Sequence, residues 1–126
     1  MDRIWVRSGS PYEETYGFSR ALRVGDRIFV AGTAPIPPEG EAIATTAHDQ
    51  MLRCGEIIGA ALADAGVTLG DVVRTRMYIT DPAMADEVGA AHRKVFGNAA
   101  PAATMVVTAL LDPAWLVEVE AEAIAG

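Results

Sequence analysis

Three glutamates, Glu118, Glu120 and Glu122, stand two residues apart in LVEVEAEAIAG, with Val117, Val119 and Ala121 between them. A strand sends successive side chains to opposite faces, so the three carboxylates share one side. That side needs water, cations or a function. A carboxylate held in a concave, partly dry place beside a donor could move protons. The stretch VVRTRMYITD offers the complement: Arg74 and Arg76, also two apart, could hold a ligand carboxylate with a planar guanidinium or simply neutralise the glutamates.

Other reactive side chains form no recognisable set. His48 and His92 lie far apart and Cys54 is the single cysteine, so a metal cluster would have to borrow carboxylates at no known ligand spacing. No metal is expected. Cys54 sits inside an amphipathic stretch and reads as a small buried hydrophobe, and both histidines read as partly exposed helix residues. Of the two, His92 stands nearer a loop that could border a site. There is no glycine-rich phosphate cradle and no nucleophile elbow.

The elements that must position these groups follow from periodicity. ALRVGDRIFVAGTAP predicts a hairpin turning at Gly25-Asp26, and Pro35, Pro37, Pro38 and Gly40 make a loop after it. From Ala44 to Ala65 apolar residues recur at helical spacing through Met51, Ile57, Ile58, Ala61 and Leu62, with Gly66 as the stop. VVRTRMYITD predicts a strand with Val73, Thr75, Met77 and Ile79 on one side and Arg74, Arg76, Tyr78 and Thr80 on the other. Asp81-Pro82 opens a second helix to about Phe96. ATMVVTALL is a further strand, and the acidic strand closes the chain. The result is one α+β domain over residues 1–126, with two helices covering one face of a mixed sheet. The other face carries Tyr78, the arginines and the glutamates. Alternation alone fits either a solvated face of cross-strand ion pairs or an interface or lined site.

The 126 residues are 51% hydrophobic and 21% charged, a globular composition. A net charge of −7, one lysine and nine arginines without a run make nucleic acid a poor partner. No apolar run is long enough for a membrane span or a secretory signal, and the lone cysteine agrees with a cytoplasmic protein.

Taken together, YGFSRALRVGDRIFVAGTAP, VVRTRMYITDP, HRKVFGNAAPAATMVV and LVEVEAEAIA, in this order from about Ser10 to Ala125, resemble the Rid family, also called YjgF. The resemblance implies a chorismate-mutase-like fold assembled as a homotrimer, with sheets forming an inner barrel and three clefts between subunits. It also implies hydrolysis of imines and enamines to 2-keto acids and ammonia without a cofactor. In that pattern an arginine binds the substrate carboxylate and a last-strand glutamate handles water, a division of labour that positions the substrate with one group and moves protons with the other.

Carried onto this chain, the glutamate falls on Glu118, the aromatic wall on Phe18, and the amide-bearing turn on Ala31, Gly32 and Thr33. The carboxylate-binding arginine falls on Ala103, and Met105 stands where deaminases often have cysteine. The helix asparagine falls on Gly89. Alanine cannot hold a carboxylate, and losing a bidentate contact lowers affinity by orders of magnitude unless another cation replaces it. Arg20 and Arg76 are the candidates, with Arg76 preferred for sharing a face with Tyr78, against the reading that it pairs with Glu118 or Glu120.

The expectation is therefore a Rid-type homotrimer binding a small metabolite, hydrolysing a C=N or amidic substrate if it is an enzyme. A non-catalytic metabolite-binding or regulatory trimer is the competing reading. An endoribonuclease is opposed by the acidic charge and the absence of a basic stripe.

Overall fold

The computed structural model describes residues 1–126. Six strands share one sheet: β1 (Arg3–Val6), β2 (Ala21–Val24), β3 (Arg27–Thr33), β4 (Val72–Ile79), β5 (Ala102–Val107) and β6 (Val117–Ile124), in the order β1-β2-β3-β6-β4-β5. All neighbours are antiparallel except β4 and β5. The last strand of the chain is thus central, paired on both edges, and its alternation decides both faces. Val117, Val119, Ala121 and Ala123 are buried beneath the helices, while the intervening glutamates point to the other side.

Helices α2 (Ala47–Asp64) and α3 (Ala85–Phe96) cover that buried side. In α2 the inward stripe is Met51, Cys54, Ile58, Ala61 and Leu62, fully or nearly fully buried at helical spacing. Thr46 caps its start by accepting from Asp49 N at 3.1 Å. At the far end Gly66 adopts φ +85°, Val67 N returns to Leu62 O, and Arg23 donates to Ala65 O, so the last carbonyls are occupied. Buried Gln50 ties two loops to this layer, donating to Ala44 O and Ala114 O and accepting from Leu116 N. His92 packs against Phe96 and hydrogen-bonds Thr75 Oγ1 at 2.8 Å, holding α3 to β4.

Two elements were not expected. β1 pairs with β2 at the sheet edge, and α1 (Pro11–Tyr16) lies between them in sequence. Its signals are short-range: Ser10 caps, Pro11 opens, and Gly17 at φ +76° stops it. Glu13 is buried within this turn and accepts from Ser8 N and from the Ser8 hydroxyl.

One expected orientation is corrected. Val73 was placed with Thr75, Met77 and Ile79 on the core side, but β4 carries an extra residue there, pairing Val72 with Ala123 and Arg74 with Glu122. This bulge puts Val72 in the core and leaves Val73 exposed.

Candidate functional site

On the open face, β4 and β6 set Tyr78 opposite Glu118 and Arg76 opposite Glu120. The side chains nevertheless lean one step along the ladder. Tyr78 Oη donates to Glu120 Oε1, and Arg76 Nη1 reaches Glu122 Oε1 at 3.4 Å. Arg76 therefore pairs with neither Glu118 nor Glu120. The diagonal pattern uses up two of the three carboxylates and leaves Glu118 without a partner on β4.

The surroundings of Glu118 come from the other edge of β6. Strand β3 has one residue more than β6 between the Val30–Ala121 and Thr33–Val119 pairs, a bulge formed by Ala31 and Gly32. Side chains fix this bulge. Arg20 Nη2 donates to Ala31 O and Gly32 O, both at 2.8 Å, Thr33 Oγ1 donates to Ala31 O at 2.8 Å, and Cys54 Sγ donates to Thr33 O at 3.3 Å. Three successive carbonyls thus accept from side chains, and because each peptide is planar their orientation also sets the next N–H. Gly32 brings the backbone against Glu118: a Cβ there would stand 2.5 Å from Glu118 Oε2.

Burial raises the Glu118 pKa above its ordinary value, with Arg20 opposing and Glu120 adding to the rise. Burial lowers that of Arg20, against the fields of Glu13, Cys54 and Glu118. The two charges act on each other without closing an ion pair within 4 Å. Cys54 is pushed up to about 12 by desolvation and then by Glu118, so its thiol stays protonated at neutral pH and serves as a donor. Phe18 follows Gly17 two residues ahead of Arg20 and is 39% exposed.

Ala103 and Met105 lie elsewhere. They pair with Thr75 and Met77 on β5 and so face the helix side of the sheet, the side opposite Glu118. The named residues divide into two groups within one chain: Arg20, Ala31, Gly32, Thr33 and Glu118 around the β3 bulge, and Ala103 and Met105 on the outer strand. Glu13 is the buried ionisable group the sequence reading passed over, and a serine five residues before it was the available signal. No three His, Cys, Asp or Glu side chains converge as a metal site, and no helix is long and apolar enough to cross a membrane.

The family model described as Endoribonuclease L-PSP matches residues 10–125. The chain belongs to the YjgF/Rid family. A Streptomyces coelicolor protein is 36% identical to this YjgF/Rid chain, over 96% of it and 91% of the relative. A RutC family protein of Pyrococcus abyssi is 37% identical over 82% of this chain and 83% of its own. A Mycobacterium tuberculosis member of the YjgF family superposes with a TM-score of 0.89 at 42% identity, covering 98% and 100% of the two chains. Escherichia coli TdcF, solved with bound serine, superposes at a TM-score of 0.81 and 22% identity over 97% and 94%, which shows a shared fold. Its name describes a reactive intermediate deaminase, and in sequence it matches 51% of this chain at 27% identity. The α+β YjgF-like architecture holds across these structures.

Proposed function

We propose that this chain forms a homotrimer and binds a small metabolite in clefts between subunits, with Glu118 handling water for hydrolysis at a C=N or amidic carbon. The observation that carries the reading is the division just described. Glu118 lies on the face of the sheet opposite Ala103 and Met105, so a neighbouring copy is what would bring those two residues to it. The open face also supports assembly, since Trp5, Leu22 and Phe29 form a cross-strand apolar row beside Glu122, and Trp5 and Phe29 are exposed.

In such a cleft Glu118 is half-buried, free of strand partners and backed by a fixed bulge. A raised pKa lets it take a proton from water attacking the C=N carbon and return it to the departing nitrogen, which leaves as ammonia or an amine. Arg20 supports Glu118 electrostatically and fixes the turn. Ala103 leaves the carboxylate anchor of the deaminase pattern unfilled, so the favoured substrate is less acidic than a 2-imino acid, a cyclic or amidic compound suited to Phe18, Ala103 and Met105. The deaminase name borne by TdcF favours C–N chemistry, and a net charge of −7 disfavours RNA as the substrate. The reading extends to a cytoplasmic location.

Two measurements test it. Sedimentation should give three copies, and a solitary subunit ends the proposal. Ammonia release from freshly generated 2-aminoacrylate should be negligible, while a panel of cyclic imines and amides should include a substrate whose turnover Glu118→Gln abolishes. Binding that persists in Glu118→Gln with no turnover of any panel member would replace the hydrolase reading with a metabolite-binding trimer.

A further inference from the structure

A cavity of about 200 Å³ lies between α2 and the end of β1. Its walls carry Arg7, Arg20 and Arg53. Arg20 N donates to Val6 O, which sets Arg7 beside the Arg20 backbone. Arg53 is held at its Nε by Ile36 O, and its Nη1 stands 3.9 Å from Glu56 Oε2, too far for a firm pair. Arg7 makes no ion pair, and Arg20 Nε is buried without any hydrogen-bond partner. With Arg20 Nη2 engaged by the β3 bulge, Arg7 and Arg53 are the guanidinium groups open to an anionic acceptor, and Arg20 adds its charge behind them.

The remaining charged groups facing the cavity are Glu56 and Asp64. Asp64 is eleven residues beyond Arg53 on the same helix, about 16 Å along its axis, whereas Glu56 stands one turn from Arg53, so the arginine end sets three cations against one carboxylate. Between those ends α2 presents Ile57, Ala60 and Ala61, an apolar bed at helical spacing. The volume falls below that of a site for a drug-sized ligand, so the occupant is small.

We propose that this cavity binds a small carboxylate with a short apolar tail, its head among Arg7, Arg20 and Arg53 and its tail along Ile57 and Ala60. The site lies along α2 and shares only Arg20 with the group around Glu118, so it does not rest on turnover in the proposed cleft.

Butanoate serves as the probe, titrated into the full-length protein and followed by calorimetry and amide chemical shifts, with thermal unfolding to verify each variant. Saturable binding is expected, with shifts at Ile57 and Ala60. Arg7→Gln and Arg53→Gln should each weaken it about tenfold. Glu118→Gln should retain saturable butanoate binding, and butylamine should not bind. Inorganic phosphate binding as tightly as butanoate would overturn the tailed carboxylate as occupant. No saturable butanoate binding would overturn the site. So would binding that Glu118→Gln removes but both arginine variants keep, since the ligand would then occupy the intersubunit cleft.

Discussion

Gly32 and Glu118 approach so closely that a Cβ at position 32 would meet Glu118 Oε2 at 2.5 Å. The atom in the way is the far end of a flexible side chain, so a methyl group there would displace the carboxylate rather than the strand. Gly32→Ala should therefore fold with stability within about 1 kcal/mol of the parent, helped by the lower backbone entropy of alanine. Binding or turnover in the cleft should fall about a hundredfold, because a displacement near 1 Å at a positioned group has that effect. Denaturant unfolding and ligand titration of the same preparation separate the two. Unchanged binding would mean that the position of Glu118 does not matter.

The raised pKa of Glu118 has a signed consequence for stability. Between its ordinary and folded values the folded state holds more protons than the unfolded one, so stability falls as pH rises through that window and stays lower above it. Glu118→Gln removes a charge that burial disfavours. The variant should unfold at higher denaturant than the parent at pH 7, and the gain should vanish below the ordinary carboxylate range. His92 runs the other way: burial lowers its pKa from 6.5, so its share of stability is lost as pH falls through 6.5. Gln at 92 should flatten that acid limb in a series of urea midpoints.

What could be seen beforehand follows from the range over which each signal acts. The long helix, β4 and β6 announce themselves because burial on one face writes a period of 3.6 or 2 over eight residues or more. α1 has six residues and buries only Glu13, so no apolar period exists, and its Ser10-Pro11 and Gly17 punctuation was the sole trace. β1 is a four-residue edge strand with one buried side chain. Both bulges escape periodicity by definition, since an inserted residue reverses the alternation at Val73 and at Ala31-Gly32. The acidic face was legible as a face, but its pairing was not: register sets Arg76 opposite Glu120, and only side-chain lean sends it to Glu122. Nor could one chain's letters show that Ala103 and Glu118 look away from each other, because strand order and the parallel β4–β5 pairing decide it.

The two helices touch through a glycine. A Cβ on Gly55 would stand 2.7 Å from both methyls of Val95, and a β-branched side chain in a helix has little freedom to turn aside. Overpacking of this kind costs about 1–3 kcal/mol, against about 1 kcal/mol that alanine gains over glycine in a helix. Gly55→Ala should lose about 1 kcal/mol net. Adding Val95→Ala should recover most of it, and a double-mutant cycle by urea denaturation measures the coupling. Additive losses would show that the helices separate freely.

An arginine at position 103 tests the proposed intersubunit cleft. Ala103 is exposed on the outer strand beside Met105, so an arginine there has room and displaces no core atom. It would add the fork that a carboxylate accepts, worth a few kcal/mol when both hydrogen bonds form. Ala103→Arg should tighten binding of 2-oxobutanoate about a hundredfold, equivalent to about 2.7 kcal/mol. Ammonia release from 2-aminoacrylate should rise in parallel, and adding Glu118→Gln should remove that release while keeping most of the affinity. This last split matters because the two residues come from different faces of the sheet. If they act on one bound molecule, a mixed trimer of Ala103→Arg/Glu118→Gln chains with parental chains should recover release at interfaces that combine one arginine with one glutamate. Release confined to homogeneous Ala103→Arg preparations would instead place both residues in a single chain's site and end the proposed intersubunit cleft.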